Sequence, residues 1–387
     1  MLRKNVWIVF TFLVLGCQVA DDDANLVPTE ENPIVNSEVG TDQDTSDSKK
    51  TFDRQEMLTF IVNQIIIPSF NNLEDNLGEL KSSFDLFNAD LTDENFEELT
   101  NQWLNSYKAW QHVEMFNIGK AMEEYYVFKS NIYPVDTVRV KSNIESGAYD
   151  LENPNNYSAQ GFPTIEYLLF GPDDDPSKGI NQLRDNIKYR DYLKTMIESL
   201  VSHTKAVKED WVRTKEEFVL STENTASSNL NMMVNDFIYY FEKGFIANKF
   251  GIPAGVFSPA ALPDRVEGYY SKIYSKEIAM EALSSIKNFF NGISVENKDV
   301  TGPSLKSYLN FIESGKDHLL SDQINEKLSV VENSINALDQ SFVRQMDSDL
   351  TLFLKTYDNI QSTVVLLKVD MLQVLNISVD YADADGD

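Results

Sequence analysis

The chain has 387 residues, 42% of them hydrophobic, which is enough to bury the cores of about two domains. Its 61 acidic and 33 basic residues give a net charge of −28, and such a surface repels phosphates, so no nucleic-acid partner is expected. Three histidines are too few for a histidine-rich zinc centre, and one cysteine excludes an intrachain disulfide.

Residues 1–16 have the layout of a secretory signal peptide. Arg3 and Lys4 form a short positive stretch, and the apolar run that follows is too short to span a bilayer. It ends at Val14-Leu15-Gly16-Cys17, which resembles the lipobox of bacterial lipoproteins, with Cys17 as the lipidated residue. The alternative is a plain signal with an incidental cysteine. We expect a lipid anchor in the bacterial cell envelope, on the outer membrane, facing the periplasm or the cell surface.

Residues 17–51 are predicted to be a solvated tether. Nine acidic side chains and no Lys or Arg occur between residues 18 and 48, so this stretch cannot bury itself. The run Asp21-Asp22-Asp23 is similar to the export signal of surface lipoproteins in some Bacteroidota, and an ordinary acidic linker is the alternative.

From residue 52 onward, apolar residues recur at steps of three and four, which predicts an all-α protein of amphipathic helices. One stripe runs from Leu73 to Phe87, and a second helix is predicted to begin at Thr92 as its N-cap. Other segments share this period, at 187–218, 230–250, 265–290 and 323–377. Glycine and proline cluster between the helical segments, at 131–179, 251–263 and 291–303.

A polar stretch at residues 221–229 is a predicted domain boundary. It leaves helical halves at 52–222 and 223–387, each long enough for a four-helix bundle.

A short helix is predicted after Gly161-Phe162, with Pro163 at its first position, where the missing N–H has little effect. Glu166 then falls in the first turn, and Gly171 ends the helix. On these residues alone, Glu166 is a carboxylate that stabilises the positive end of the helix dipole.

The run from Gly161 to Gly171 is similar to the signature of the imelysin family of bacterial envelope proteins, Gly-x-His-x-x-Glu followed by Tyr/Leu-Leu-Phe-Gly. The segment from Trp110 to Gly119 resembles the family's Trp-x-x-x-Glu-x-Phe-x-x-Gly. Tyr133-Pro134 stands where the family often has Trp-Pro, and the segment from Lys249 to Gly255 resembles Lys-x-Gly-Ile-Pro-x-Gly. With a similar closing tail, the matches span about residues 100 to 387, in order.

The resemblance implies two four-helix-bundle-like domains packed around a shared groove, with the motif near that groove. It also implies a secreted or lipid-anchored protein, often associated with iron acquisition. The motif and groove residues that it implies are Trp110, Glu114, Gly161, Pro163, Glu166, Lys249, Gly251 and Pro253.

The sequence departs from the family pattern at Pro163, which occupies the position of the motif histidine. Proline has no lone pair to give a metal, so the His/Glu pair cannot form, and this argues against peptidase activity. Glu166 and Glu114 could still hold a hard cation, iron or another divalent metal, through oxygen atoms. Equally, they could cap helix ends or pair with Lys249.

The leading hypothesis is a lipid-anchored, imelysin-like protein that binds a ligand or metal without catalysis and serves iron or metal acquisition. A divergent metallopeptidase with ligands from other helices is one alternative, and a structural or adhesive surface lipoprotein is another. The expected partners are the membrane, through the N-terminal lipid, and an iron-uptake system of the outer membrane. The sequence does not indicate an oligomeric state.

Overall fold

The computed structural model describes residues 51–171 and 177–379, and within these residues it contains no β-strand. The one strand-like pairing described is an isolated antiparallel bridge between Ile293 and Thr301. The segment Thr51–Asp387 forms one compact unit. The all-α prediction is confirmed. None of the described helices combines the length and apolarity that crossing a bilayer requires.

The helices vary from a single turn to 32 residues. In chain order they are α1 (Arg54–Ile61), α2 (Ile67–Ala89), α3 (Asp93–Trp110), α4 (Lys120–Glu123), α5 (Tyr126–Ser130), α6 (Thr137–Ser146), α7 (Gly161–Phe170), α8 (Ser177–Asp185), α9 (Ile187–Phe218), α10 (Asn229–Tyr239), α11 (Ile252–Ala254), α12 (Ser275–Asn291), α13 (Leu305–Ile312), α14 (Leu320–Asn336), α15 (Phe342–Gln361) and α16 (Leu372–Leu375). π-Helical segments lie at Val62–Ile66, Tyr240–Gly251 and Val365–Met371, and 3-10 segments at Pro154–Ala159 and Pro263–Arg265.

The N-terminal half is built on α2, which packs against α3 and against α9. The stripe predicted between Leu73 and Phe87 is buried on α2, as burial of one helix face requires. The side chain of Thr92 accepts a hydrogen bond from Asn95 N at 3.2 Å, so it is the N-cap of α3. Predicted and observed bounds agree for α9, Ile187–Phe218.

Short helices occupy much of the Gly/Pro-rich segment at 131–179. Both α6 and α7 lie there, and α6 has no counterpart among the predicted helices. Asp136 caps α6, because its side chain accepts from Arg139 N at 2.9 Å, and Gly147 ends it with a φ of +62°. These short helices place the motif helix α7 against α3, α8 and α9.

In the C-terminal half, α10 runs directly into the π-helical segment Tyr240–Gly251 and then into α11. The helix predicted over 265–290 begins only at Ser275, because the preceding residues form turns that include Gly268 with a φ of +76°. The segment 323–377, whose period predicted helical structure, contains α14 and α15 and, after Gln361, the π-helical segment Val365–Met371 and α16. The predicted domain boundary falls in the loop between α9 and α10, and the division into two bundles stays a prediction.

The predicted signal peptide, Cys17 and the tether up to residue 50 lie outside the described residues, as does the end of the closing tail.

Candidate functional site

The motif helix α7 begins at a glycine that no other residue could replace without strain. Gly161 has a φ of +79°, and a Cβ built on it would lie 2.2 Å from the backbone oxygen of Ser130. The next residue, Phe162, is fully buried, and its carbonyl accepts a hydrogen bond from Trp103 Nε1 at 3.2 Å. The ring of Tyr107 stacks on the ring of Phe162 with centroids 4.8 Å apart. Both contacts fix the start of α7 against α3.

The predicted position of Pro163 needs correction. The helix begins at Gly161, so Pro163 is its third residue and not its first. The missing N–H still has little effect, because the first four N–H groups of a helix have no partner within the helix. Glu166 consequently lies beyond the first turn, which contains no acidic residue. Its predicted role as a dipole-stabilising carboxylate is wrong.

Glu166 is instead a buried carboxyl group that holds a loop from the other half of the chain. It is 1% exposed and accepts a hydrogen bond from the backbone N–H of Ser271 at 2.9 Å. Burial raises the pKa of Glu166 to about 7, against the lowering effect of hydrogen bonds from Ser271 and Tyr270. The nearby charge of Glu267 raises this pKa further. The carboxyl group is therefore about half neutral near pH 7.

A second buried carboxylate, Glu267, is paired with the lysine of the Lys-x-Gly-Ile-Pro segment. Lys249 Nζ donates to Glu267 Oε2 and, at 2.8 Å, to Gln111 Oε1. The same ammonium lies 3.9 Å from Glu114 Oε2. Lys249, Glu267 and Glu114 are 2%, 4% and 8% exposed, so these charges interact away from bulk water.

Neutral side chains join these charges into one network, which we call the motif cluster and define as Tyr107, Gln111, Glu114, Asn131, Lys249 and Glu267. Asn131 Nδ2 donates to Glu114 Oε1 at 2.8 Å and to Glu267 Oε1 at 2.9 Å. The hydroxyl of Tyr107 lies 2.6 Å from Asn131 Oδ1 and 2.9 Å from Glu267 Oε1, and its single proton can serve one of them at a time. Burial, followed by the charge of Glu267, raises the pKa of Tyr107.

Three polar atoms beside this network lack a hydrogen-bond partner among the described residues. They are Trp110 Nε1, Glu114 Oε2 and Tyr240 Oη. Trp110 and Tyr240 both face Glu114. The indole N–H of Trp110 acts on the Glu114 pKa as a hydrogen-bond donor does, and burial, followed by the charge of Glu114, raises the pKa of Tyr240. Burial raises the pKa of Glu114, and the charge of Lys249 lowers it. We call these three atoms the unpartnered triad.

Four of the eight predicted site residues lie in or near the motif cluster. Trp110, Glu114 and Lys249 lie in or beside the motif cluster. Glu166 is close enough to Glu267 and Tyr107 to influence the pKa of Tyr107 and to be influenced by Glu267. The predicted pairing of Glu114 with Lys249 is present as a 3.9 Å contact.

Gly251 and Pro253 have a different place, at the end of the π-helical segment and in α11. A Cβ on Gly251 would lie 2.9 Å from the ring of Tyr357, so the glycine permits close packing there. The carbonyl of Pro253 accepts from Leu262 N at 2.8 Å. Both residues therefore have packing roles close in sequence to Lys249.

Sequence reasoning missed Tyr107, Gln111, Asn131 and Glu267 as site residues. Tyr107 follows Trp103 by four residues, so its spacing indicated only a buried apolar face of a helix and not a site residue. Glu267 stood inside a segment predicted to be helical, whereas it lies in the turns before α12. No motif marks these positions.

The family model described as imelysin matches residues 66–361, well over half of the chain. The chain belongs to the imelysin family. Two solved structures share the fold of this imelysin-family protein. An imelysin-like protein from Psychrobacter arcticum 273-4 has a TM-score of 0.66 and 18% identity, over 85% of this chain and 97% of that one. A protein of Parabacteroides distasonis ATCC 8503, described as an iron-regulated protein A precursor, has a TM-score of 0.62 and 16% identity, over 84% and 97%. Among curated proteins, none matches significantly.

A resident metal ion does not fit the motif of this imelysin-family protein. Within residues 51–171 and 177–379, no three His, Cys, Asp or Glu side chains are arranged to hold a metal. Pro163 offers no donor atom, and the ammonium of Lys249 already stands against Glu267 and near Glu114, where a cation would be attracted. The structure therefore gives no support to Glu166 and Glu114 as a joint cation site.

Proposed function

We propose that this imelysin-family protein is an extracytoplasmic lipoprotein with an iron-associated role, and that it binds a small ligand without catalysis. The signal-like N-terminus and Cys17 support the location and the lipid anchor. The description of one structural neighbour as iron-regulated supports the iron-associated role. The membrane and an iron-uptake system of the outer membrane are the proposed partners.

The observation that carries the ligand site is the unpartnered triad. A buried polar atom without a partner costs about 1–3 kcal/mol, so a small molecule that bonded to all three atoms around this carboxylate would be stabilised there. Glu114 Oε2 needs a donor, Trp110 Nε1 needs an acceptor, and the hydroxyl of Tyr240 can be either. A hydroxyl or amide group supplies both functions. We propose a ligand that carries such groups, including the organic part of an iron complex.

The proposal excludes zinc-dependent hydrolysis at the motif, because Pro163 cannot bind zinc and the ammonium of Lys249 lies between Glu114 and Glu267. Lys249 neutralises only part of the negative charge beside the proposed ligand site. Two carboxylates, Glu114 and Glu267, face one ammonium in the motif cluster, so a neutral or weakly cationic ligand suits it better than an anion.

The test is a calorimetric titration of the fragment 51–387, which contains the whole compact unit. The probes are ferric desferrioxamine B, which carries amide groups, its iron-free form, and ferrous, ferric, zinc and calcium ions. We expect ferric desferrioxamine B to bind with a micromolar Kd, which corresponds to a binding free energy of about 8 kcal/mol. The bare ions should not bind at the motif.

Two variants connect binding with the unpartnered triad. Tyr240→Phe removes only the hydroxyl, and Glu114→Gln removes the charge, and each is expected to weaken binding by about tenfold. Glu326→Gln, on the exposed face of α14, is the matched control and should leave binding unchanged. Equal binding by all four proteins would place the ligand elsewhere. If Tyr240→Phe and Glu114→Gln lower the stability of the ligand-free protein, these groups already have partners in it, either each other or bound water, and the ligand site is refuted.

Two further measurements test the other parts of the proposal. Chelator-sensitive cleavage of an unfolded protein such as casein would contradict the non-catalytic role. For the full chain, Cys17→Ala is expected to abolish incorporation of labelled fatty acid and to move the protein out of the membrane fraction. Unchanged fractionation would remove the lipid anchor from the proposal.

A further inference from the structure

A large groove lies between one face of α9 and one face of α10, away from the motif cluster. Its volume is about 1100 Å³, and residues between 117 and 123, from the end of the loop after α3 and from α4 itself, line a third side. On α9 the lining residues recur at steps of three and four from Ala206 to Phe218, so they share one helix face. None of the motif-cluster residues lines it. We call it the α9–α10 groove.

The groove exposes apolar side chains that a surface in water normally avoids. Met122 and Tyr239 in its lining are 61% and 41% exposed. Tyr125 and Phe128 follow Met122 at steps of three and are also more than half exposed. Tyr125 has a φ of +54°, a conformation that is strained for a tyrosine. A concentration of exposed apolar side chains beside a groove indicates an interaction surface.

The charged residues that line the groove indicate which sign of charge a partner should carry. Five acidic residues line it, and two basic ones, Lys120 and Arg213. Both basic side chains are already paired, Arg213 with Asp210 and Lys120 with Glu124 at 2.7 Å. The lining thus has an excess of three negative charges, which favours a cationic partner.

Charge disfavours two occupants that come from this protein itself. Residues 18–48 of the same chain have nine acidic side chains and no Lys or Arg, so the lining would repel them. A second copy has a net charge of −28 and would be repelled as well. The volume slightly exceeds the roughly 300–1,000 Å³ of ordinary small-molecule sites, which favours a polypeptide over a small cation.

We propose that the α9–α10 groove is a docking site for a basic, apolar-containing polypeptide segment of a partner protein. Lysine or arginine side chains of that segment would pair with the acidic lining, and its apolar side chains would cover Met122 and Tyr239. Helical segments with this composition bind grooves between helices through their apolar face. The inference is independent of the ligand proposed for the motif cluster.

The experiment measures binding of a panel of fluorescent 20-residue peptides built from lysine and leucine, in helical and scrambled arrangements, to the fragment 51–387. Matched peptides with glutamate in place of lysine are the charge controls. Glu217→Lys introduces a positive charge into the groove at an exposed position, and Met122→Ser removes exposed apolar surface. Glu326→Lys, exposed on α14, changes the net charge by the same amount away from the groove.

We expect the lysine peptides to bind, and Glu217→Lys and Met122→Ser each to raise the Kd at least tenfold. Glu326→Lys should change it less than twofold. Equal effects of Glu217→Lys and Glu326→Lys would overturn the proposal, because attraction would then depend only on net charge. No binding of any lysine peptide, or displacement of the peptides by stoichiometric spermidine, would overturn it too. Circular dichroism of each variant verifies that it is folded.

Discussion

Glu166→Gln tests whether the motif carboxyl group is buried at the expense of stability. Glutamine has nearly the same size and keeps an oxygen that can accept the hydrogen bond from Ser271 N. It cannot ionise, so the substitution removes the charge and leaves the packing around α7 in place. Any change in stability with pH that depends on Glu166 should then disappear.

The size of the effect follows from the pKa of Glu166, which is about 7 in the folded protein and 4.5 in its unperturbed state. The folded protein holds this proton more tightly than the unfolded chain does. The free energy of unfolding therefore falls as pH rises from about 4.5 to about 7. At higher pH the whole destabilisation caused by the buried charge of Glu166 is present. At about 1.4 kcal/mol for each tenfold difference in proton affinity, the cost is about 3 kcal/mol.

Urea unfolding at pH 5 and pH 8 measures this cost directly. At pH 8 we expect Glu166→Gln to be about 3 kcal/mol more stable than the wild type, and at pH 5 about 1 kcal/mol more stable. Glu114 also titrates with a raised pKa, but it is present in both proteins, so most of its contribution cancels. Glu326→Gln is the exposed control, and its difference in stability from the wild type should be the same at pH 5 and pH 8.

A stability difference that is the same at pH 5 and pH 8 would refute the explanation based on ionisation. A variant less stable than the wild type at pH 8 would show that the hydrogen bonds to the carboxylate outweigh the effect of burial. Ligand binding measured on the same variant is a separate readout, since the proposed ligand contacts Glu114 and not Glu166.

Two other sets of substitutions test the packing and the charges of the site. Gly161→Ala should destabilise the protein by at least about 2 kcal/mol, because its Cβ would meet the backbone of Ser130. Gly78→Ala in α2, with open space around it, should instead stabilise the protein by about 0.5–1 kcal/mol. Thermal unfolding compares the two variants, and equal effects would contradict the steric reason. Lys249→Met should lower the free energy of unfolding by about 3–5 kcal/mol, because it leaves Glu267 buried without its cation. Adding Glu267→Gln should recover a large part of that loss in urea unfolding. A double variant no more stable than the single one would show that packing, and not charge, causes the loss.

The helices could be predicted wherever burial of one face imposed a period of three and four residues. In α9 the apolar positions follow this period for the whole of Ile187–Phe218, and a polar residue, Asn186, caps the start. The same period continues through 265–290, but Gly268 and the turns around it lower the preference for helix, and contacts elsewhere in the fold decide the backbone before Ser275. Periodicity cannot detect such a change, because the apolar residues of a turn also face the core.

The site could be predicted only in part because its charges come from segments of different kinds. Glu114 and Lys249 stood in recognisable motifs, but Glu267 lies in an irregular segment and meets Tyr107, which is 160 residues earlier in the sequence. Which side chains a loop brings to the core depends on its conformation, and no spacing rule gives that. The paired lysine therefore could be anticipated, whereas its principal partner could not.

Pro163 removes the metal-binding histidine but leaves the structural work of the motif. Gly161 still permits the close approach of α7 to Ser130, and Glu166 still accepts the backbone N–H of Ser271. That bond holds the loop that carries Glu267, four residues before Ser271, to the motif helix. Glu267 is paired with Lys249 in the same cluster, although neither residue bonds to Glu166. A motif without its histidine can thus still organise a polar site, in which Glu114, Lys249 and Glu267 meet.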